Sequence, residues 1–339
     1  MTDDRDPEGY VHHVSVVVPV YQGERTLPDL VTELEPMVTE FRTPDGHRAR
    51  VSEVVLCHDN GPDASDRVIR ELAAVHPFLK PVWLSRNFGQ HAATLAGIAS
   101  TGGDWVVTLD EDGQHDPAYI PSLLDTALRE RAQVVYASPE NVAPHGAVRN
   151  AASKGAKRVL EKVFGGGDAS VFNSYRLILG EVGRSVAAYS GTGVYLDVAL
   201  SWIANSIVTS PVMLRSEGDR ASGYSYRSLL AHFWRMVLTS GTRGLRLVTI
   251  TGVLFALFGL AFAVYLTINR IFGGAIEEGW TSIMVMLSLA TGMILVALGI
   301  VAEYLGVAVN MALGKPAYLI VRDPAAGPLG RLRDDAGDA

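Results

Sequence analysis

A chain of 339 residues, 48% of them hydrophobic and 19% charged, has the length for one large domain or two smaller ones. A formal net charge of −7, with no Lys/Arg stripe interleaved with aromatic residues, argues against a nucleic-acid partner. The single cysteine, Cys57, rules out an intrachain disulfide and is expected to be a buried thiol.

The opening "MTDDRDPEGY" is acidic and polar, so residues 1–12 read as a disordered tail with no signal peptide. "VSVVVPVY" has the continuous apolar character of a buried parallel strand, and "TLPDLVTELEPMV" follows with helical periodicity. "VSEVVLC" and "SDRVIRELAAV" repeat the strand–helix order, and "PVWLS" leads into the helix "QHAATLAGIAS". "WVVTLD", "YIPSLLDTALRER" and "AQVVYAS" then read as strand, helix and strand. This alternation predicts an α/β domain over residues 13–225, built on a mostly parallel, Rossmann-like sheet. Residues 139–170 are rich in Gly, Ala and Pro, and predict a mobile loop near the site with a helix around Lys154 to Val163.

Two uncharged stretches follow, at 247–268 and 281–302, each long enough to cross a bilayer. Residues 226–246 mix Leu, Phe, Trp and Met with arginines; they read as an interfacial amphipathic helix or a buried helix of the soluble domain. Arg235, Arg243 and Arg246 precede the first stretch and Lys315 and Arg322 follow the second, whereas the connection "NRIFGGAIEEG" carries one arginine and two glutamates. The positive-inside bias therefore predicts a hairpin in the cell (inner) membrane, spanning 247–305, with the large domain, residues 306–339 and both termini cytoplasmic. Gly252 and Gly259, then Gly292, Gly299 and Gly306, recur every seven residues. Such a stripe permits close helix contact within the hairpin or in a homo-oligomer, although glycine is also simply common in membrane helices.

Ligands of parallel sheets bind beyond the carboxyl ends of the strands, and the polar clusters of this chain fall there. "HDNGPD", "SRNFG" and "DEDGQHD" follow the second, third and fourth strands. Neither Gly-x-Gly-x-x-Gly nor a Gly-Lys-Ser/Thr loop is present, so the usual dinucleotide and P-loop phosphate cradles are missing. Asp110 and Asp112 offer carboxylate oxygens suited to Mg²⁺ or Mn²⁺ shared with substrate phosphates, with Gln114 as a neutral oxygen ligand. The rival reading is an acidic surface absorbed by solvent. Glu111 is expected to face solvent and His115 to be a hydrogen-bonded structural residue. Asp59 is placed to accept from a base N–H or ribose hydroxyl, and Asp63 to hold the turn and cap the next helix. Arg86 faces phosphate or forms a structural salt bridge, and Asn87 and Gly89 form a turn.

These motifs resemble those of the family 2 glycosyltransferases with a GT-A fold, in particular the dolichol-phosphate mannose synthase and bacterial polyprenyl-phosphate glycosyltransferase group. "VSVVVPVYQGERTL" resembles the family's opening strand and loop, and "HDNGPDAS" its Asp-Asp-Asn-Ser-Pro-Asp-Gly segment. "LSRNFGQHAATLAGI" is similar to a signature of the group, and "LDEDGQHDP" to its Asp-x-Asp-x-Gln-x-x-Pro metal segment. The likeness covers roughly residues 14 to 325, including the two-span ending. It implies Pro19, Tyr21 and Glu24 beside the nucleotide, Asp59 at the base, and Asp110, Asp112 and Gln114 at the metal and diphosphate. "NSYRL" resembles an Asp-Phe-Arg-Leu segment near the acceptor, which makes Arg176 a phosphate or structural contact. "RASGYSYR" resembles a loop over the donor and implicates Arg220 and Ser225, with Arg149 and Arg215 as further phosphate contacts. Three positions depart from the family pattern: His58 replaces an acid, Ser174 replaces an Asp, and "ASPEN" replaces a stretch that carries a cation.

The resemblance implies inverting transfer of one sugar from a UDP- or GDP-linked donor to polyprenyl phosphate at the cytoplasmic face. The acceptor phosphate is already anionic, so the demand falls on arginines and a divalent cation to place it beside the donor diphosphate. Two alternatives stand beside this reading. One is transfer to another lipid or a polysaccharide, against which the lack of a Gln-x-x-Arg-Trp segment counts. The other is a catalytically reduced membrane scaffold that keeps the nucleotide fold.

Overall fold

The computed structural model describes residues 9–141, 172–191, 195–215, 279–314 and 316–328, with parts of 252–272. The chain divides into two units. The first is an α/β domain that takes in residues 316–328, and the second contains the apolar helices between residues 252 and 312.

The α/β unit is organised around β1 (Val11–Val20). Its alternate residues point to opposite faces of the sheet and both faces are covered, which is why the strand reads as continuously apolar. Val14, Val16, Val18 and Val20 join one core with Leu27, Leu30, Val31 and Leu34 of α1 (Leu27–Leu34). Those four residues recur at the spacing of one helix face, and burying each stabilises the fold by roughly 1.5–3 kcal/mol. Val17 points the other way, into a second core with Cys57 and the buried face of α3 (Gln90–Ala99). α3 lies so close there that a Cβ on Gly97 would come within 2.4 Å of Val17 Cγ1. Cys57 is a fully buried thiol, and burial pushes its pKa well up, so it is held protonated.

β1 pairs in parallel with β3 (Arg48–His58) on one side and β5 (Trp105–Thr108) on the other. β4 (Leu79–Leu84) continues the parallel run beyond β3. The whole sheet is mixed rather than mostly parallel. β7 (Arg176–Leu179) runs antiparallel between β5 and β6 (Val134–Pro139), and β6 pairs in parallel with β8 (Ile207–Val212). β2 (Phe41–Arg42) and β9 (Ile320–Val321) add antiparallel edges, giving the order β8-β6-β7-β5-β1-β3-β4-β9 with β2 on β3. α2 (Ser65–Val75) and α4 (Ile120–Glu130) are the other two predicted helices. α5 (Gly180–Tyr189) and α6 (Leu196–Ile203) were not anticipated. Nor was β9, because residues 306–339 read as a tail.

In the second unit, helical residues Gly252–Phe262 form α7, and Trp280–Ala312 form the 33-residue helix α8. α8 is the only helix among the described residues long and apolar enough to cross a membrane, through the window Leu289–Gly306. None of that window is buried, unlike a core helix of a soluble protein. α8 contains the predicted stretch 281–302; α7 falls within 247–268, parts of which, 247–251 included, lie outside the described residues. A Cβ on Gly252, Gly259, Gly292, Gly299 or Gly306 would meet nothing within 4 Å, so the described residues form no close helix contact at the glycine stripes. Residues 226–246 and the expected helix at Lys154 to Val163 also lie outside the described residues.

Candidate active site

The register of the three central strands sets their carboxyl ends side by side. Val20 lies opposite His58 on β3, and Val17 opposite Thr108 on β5. The three loops that leave these ends are tied to one another by their own polar groups. Gly61 presses against the first loop so closely that a Cβ there would fall 1.6 Å from the Tyr21 carbonyl oxygen. The Gly23 amide donates to Ser65 Oγ at 2.8 Å and the Glu24 amide to Asp63 Oδ2 at 3.1 Å. Glu24 Oε2 in return accepts from the Ala64 amide at 3.2 Å. Asp63 also accepts from the Ser65 amide, the turn-holding role expected of it. The Tyr21 side chain is 42% exposed, while Pro19 is buried within β1 opposite Cys57.

Three consecutive acids leave β5 in three directions. Asp110 Oδ1 accepts from Gln90 Nε2 at 2.7 Å, and its Oδ2 from Ser174 Oγ at 2.6 Å. Glu111 accepts the amides of Tyr21 and Gln22 at 2.9 and 2.8 Å, which corrects the expectation that it faces solvent. Asp112 is exposed and accepts the Gln114 amide at 3.0 Å, across a turn in which Gly113 takes φ +77°. His115 is structural, as expected. It is buried, stacks on Tyr175 at 5.0 Å and accepts the Asp110 amide on Nδ1 at 3.0 Å. Burial holds its pKa below the ordinary histidine value, against the opposing field of Asp110 and Asp112.

Asp59 is 3% exposed, and its two oxygens accept the amides of Phe88 and Gly89, both at 2.7 Å. Burial raises its pKa in spite of those amides. The carboxylate expected at a nucleobase therefore anchors the loop that begins α3. Arg86 lies over the Phe88 ring at 4.1 Å and donates to the Asn87 carbonyl at 3.1 Å.

Arg176 is not at the surface of the site. It is 2% exposed, pairs with Asp197 and donates through Nε to Thr108 Oγ1 at 3.1 Å. The Tyr136 hydroxyl completes the network by donating to Asp197 at 2.7 Å, and burial pushes its pKa up to about 12. Enclosed in this way, the guanidinium ties β7 to β5 through Thr108, the structural one of the two contacts that the resemblance implied. Arg215 is held by Glu33 at 2.7 Å and Asp116 at 2.9 Å, and those carboxylates raise its pKa. In that position it clamps residues 114–116 to α1. Arg149, Arg220 and Ser225 lie outside the described residues.

Gln90, Ser174 and Asp197 were missed as partners. A glutamine opening an otherwise apolar helix, and an aspartate inside the apolar run "YLDVALSWI", were the available signals. No group of three or more His, Cys, Asp or Glu among the described residues forms a metal cage. The donor set still suits Mg²⁺ or Mn²⁺, which are commonly held by one or two carboxylates together with substrate phosphates. Asp110 is oriented by neutral donors, and Asp112 is exposed beside it in sequence.

Residues 15–174 match the family model described as glycosyl transferase family 2. The chain is 30% identical over 318 residues to the undecaprenyl-phosphate 4-deoxy-4-formamido-L-arabinose transferase of Klebsiella pneumoniae (strain 342), covering 92% of this chain and 94% of that one. It is 30% identical over 328 residues to the protein of the same name from Pseudomonas savastanoi pv. phaseolicola, covering 91% and 90%. The corresponding protein of Erwinia tasmaniensis is 28% identical over 322 residues, covering 93% and 95%.

Proposed function

Since the chain belongs to glycosyl transferase family 2, we propose that it transfers one sugar from a nucleoside-diphosphate donor to polyprenyl phosphate. The observation that carries this reading is the Asp110 carboxylate at the end of β5, oriented by Gln90 and Ser174 and followed by exposed Asp112. The lipid phosphate acceptor is supported by the relatives that act on undecaprenyl phosphate and by the exposed apolar length of α8.

In this reading the donor lies over the ends of β1, β3 and β5, with Tyr21 and Glu24 on the loop beside the nucleotide. Asp59 sets the floor by fixing the Phe88–Gly89 backbone. Asp110 and Asp112, with Gln114, would hold Mg²⁺ or Mn²⁺, which when bound offsets charge on the leaving diphosphate. The acceptor oxygen is anionic near neutral pH and needs no strong base. Attack in line at the anomeric carbon forms the new C–O bond as the bond to the diphosphate breaks, inverting that carbon.

Connectivity supports a hairpin anchor. β9 is hydrogen-bonded into the same sheet as β4, so a chain that leaves this domain after Arg215 and returns at residue 316 crosses a bilayer an even number of times or not at all. With α8 as one crossing, the stretch 247–268 is the apolar segment available for the other. This gives a multi-pass protein of the inner membrane with its catalytic domain and both termini in the cytoplasm. The deciding experiment offers labelled UDP- and GDP-sugars and polyprenyl phosphate to purified membranes with Mg²⁺ or Mn²⁺. One labelled lipid product, lost on adding EDTA, supports the proposal, and no lipid product from any donor sinks it.

A further inference from the structure

The residues that follow α8 in sequence return to the edge of the sheet at the strand that leads into the candidate site. β9 pairs antiparallel with the end of β4, Val321 opposite Trp83 and Ile320 opposite Leu84. One residue further on, the Ser85 amide donates to the Leu319 carbonyl at 3.0 Å. Tyr318 packs into the core that contains Leu84, Phe88 and Cys57. On the other face, Asp323 accepts from Arg70 Nε at 2.9 and 3.0 Å. The Arg70 guanidinium lies 4.9 Å from the centre of the Trp83 ring, and Trp83 meets His58 edge-on at 5.4 Å. His58 is the last residue of β3, directly before Asp59.

The short loop Ser85–Gly89 is therefore held from two sides. Leu319 binds its first amide and Asp59 its last two, while the Phe88 ring shares a core with Tyr318. Immediately after this loop comes Gln90, whose amide orients Asp110. We propose that residues 318–323 are a positioning element of the donor site: they hold the Ser85–Gly89 loop so that Asp59 and Gln90 keep their places. The segment after the membrane helix is then a working part of the site's wall rather than a tail. The proposal rests on reading that site as the donor site.

The test uses the full-length protein in lipid nanodiscs, carrying Tyr318→Ala or Asp323→Ala, with Tyr318→Phe as the conservative control. Hydrogen exchange of peptides spanning residues 85–89 is measured beside peptides of β1 and β3, together with donor KM and kcat. Both alanine variants are expected to speed exchange at 85–89 about tenfold while β1 and β3 stay protected, as local opening requires. Donor KM is expected to rise about tenfold, equivalent to ~1.4 kcal/mol of binding, with kcat little changed and Tyr318→Phe behaving as wild type. Unchanged exchange at 85–89 would overturn the proposal. So would faster exchange spread equally over β1 and β3, or a fall in kcat with KM unaltered. Exchange is read without turnover, so a protein that transfers no sugar at all fails the functional reading and leaves this test standing.

Discussion

Glu111 accepts the backbone amide of Tyr21 at 2.9 Å, joining the exits of β5 and β1 across ninety residues of sequence. The same carboxylate takes the Gln22 amide at 2.8 Å, so the loop beside the proposed nucleotide is fixed by an acid from the exit of β5. Glu111→Ala removes both acceptors while leaving the amides within reach of water. The expected cost is about 1–2 kcal/mol of stability, together with a several-fold rise in donor KM. Unfolding curves and initial rates measured on one preparation check both, and an unchanged KM would remove Glu111 from the site's support.

Arg176 and Asp197 form a buried pair, and removing one partner leaves the other charged and enclosed. Arg176→Met is expected to lower stability by about 3–5 kcal/mol, and the folded fraction to retain its transfer activity. Thermal unfolding alongside activity per folded molecule separates the two effects. A variant as stable as wild type that transfers nothing would return Arg176 to direct contact with substrate.

Asp112 is the exposed member of the three consecutive acids after β5. Asp112→Ala is expected to keep its membrane location and thermal stability while losing at least ~100-fold in transfer rate, as loss of a charge-stabilising group does. Binding of Mn²⁺ to the donor complex, followed by electron paramagnetic resonance, should weaken in parallel. Activity that survives in this variant with the metal chelated would dispose of the metal-assisted reading.

The strand ends were legible because parallel strands buried on both faces leave an unbroken apolar record: β1, β3, β4, β5, β6 and the four predicted helices follow from it. The clustering of Asp59, Asp110 and Asp112 at those ends was legible for the same reason. What the polar residues do there was not. Asp59, Glu111 and Arg176 sit among groups far away in sequence, and a carboxylate that binds distant amides looks, in one dimension, like one waiting for a ligand. The acids at the end of β5 are tolerated together partly because each finds its own neutral donors, before any cation is considered. β7 and β9 were hidden for a different reason. Both are short antiparallel additions whose pairing depends on strands already assembled.

His58 is one source of pH dependence in this architecture. It is 6% exposed, and its Nε2 is buried without a hydrogen-bond partner. Burial lowers its pKa below the ordinary value near 6.5, while Asp66, Asp63 and Asp323 pull the other way and Arg70 adds to the lowering. The unfolded chain thus takes up a proton at His58 before the folded one does. Its contribution is fully present above pH ~6.5 and is lost as the pH falls from there towards the folded-state pKa, with a slope of at most about 1.4 kcal/mol per pH unit. Replacing the imidazole with a group that does not titrate, His58→Asn, should flatten this part of the stability profile while lowering the plateau by the loss of the Trp83 contact. Chemical unfolding of the full-length protein between pH 5 and about pH 8 compares the two profiles across the range in which an ordinary histidine titrates. Identical slopes below pH ~6.5 in wild type and variant would show that the acid sensitivity originates at another group.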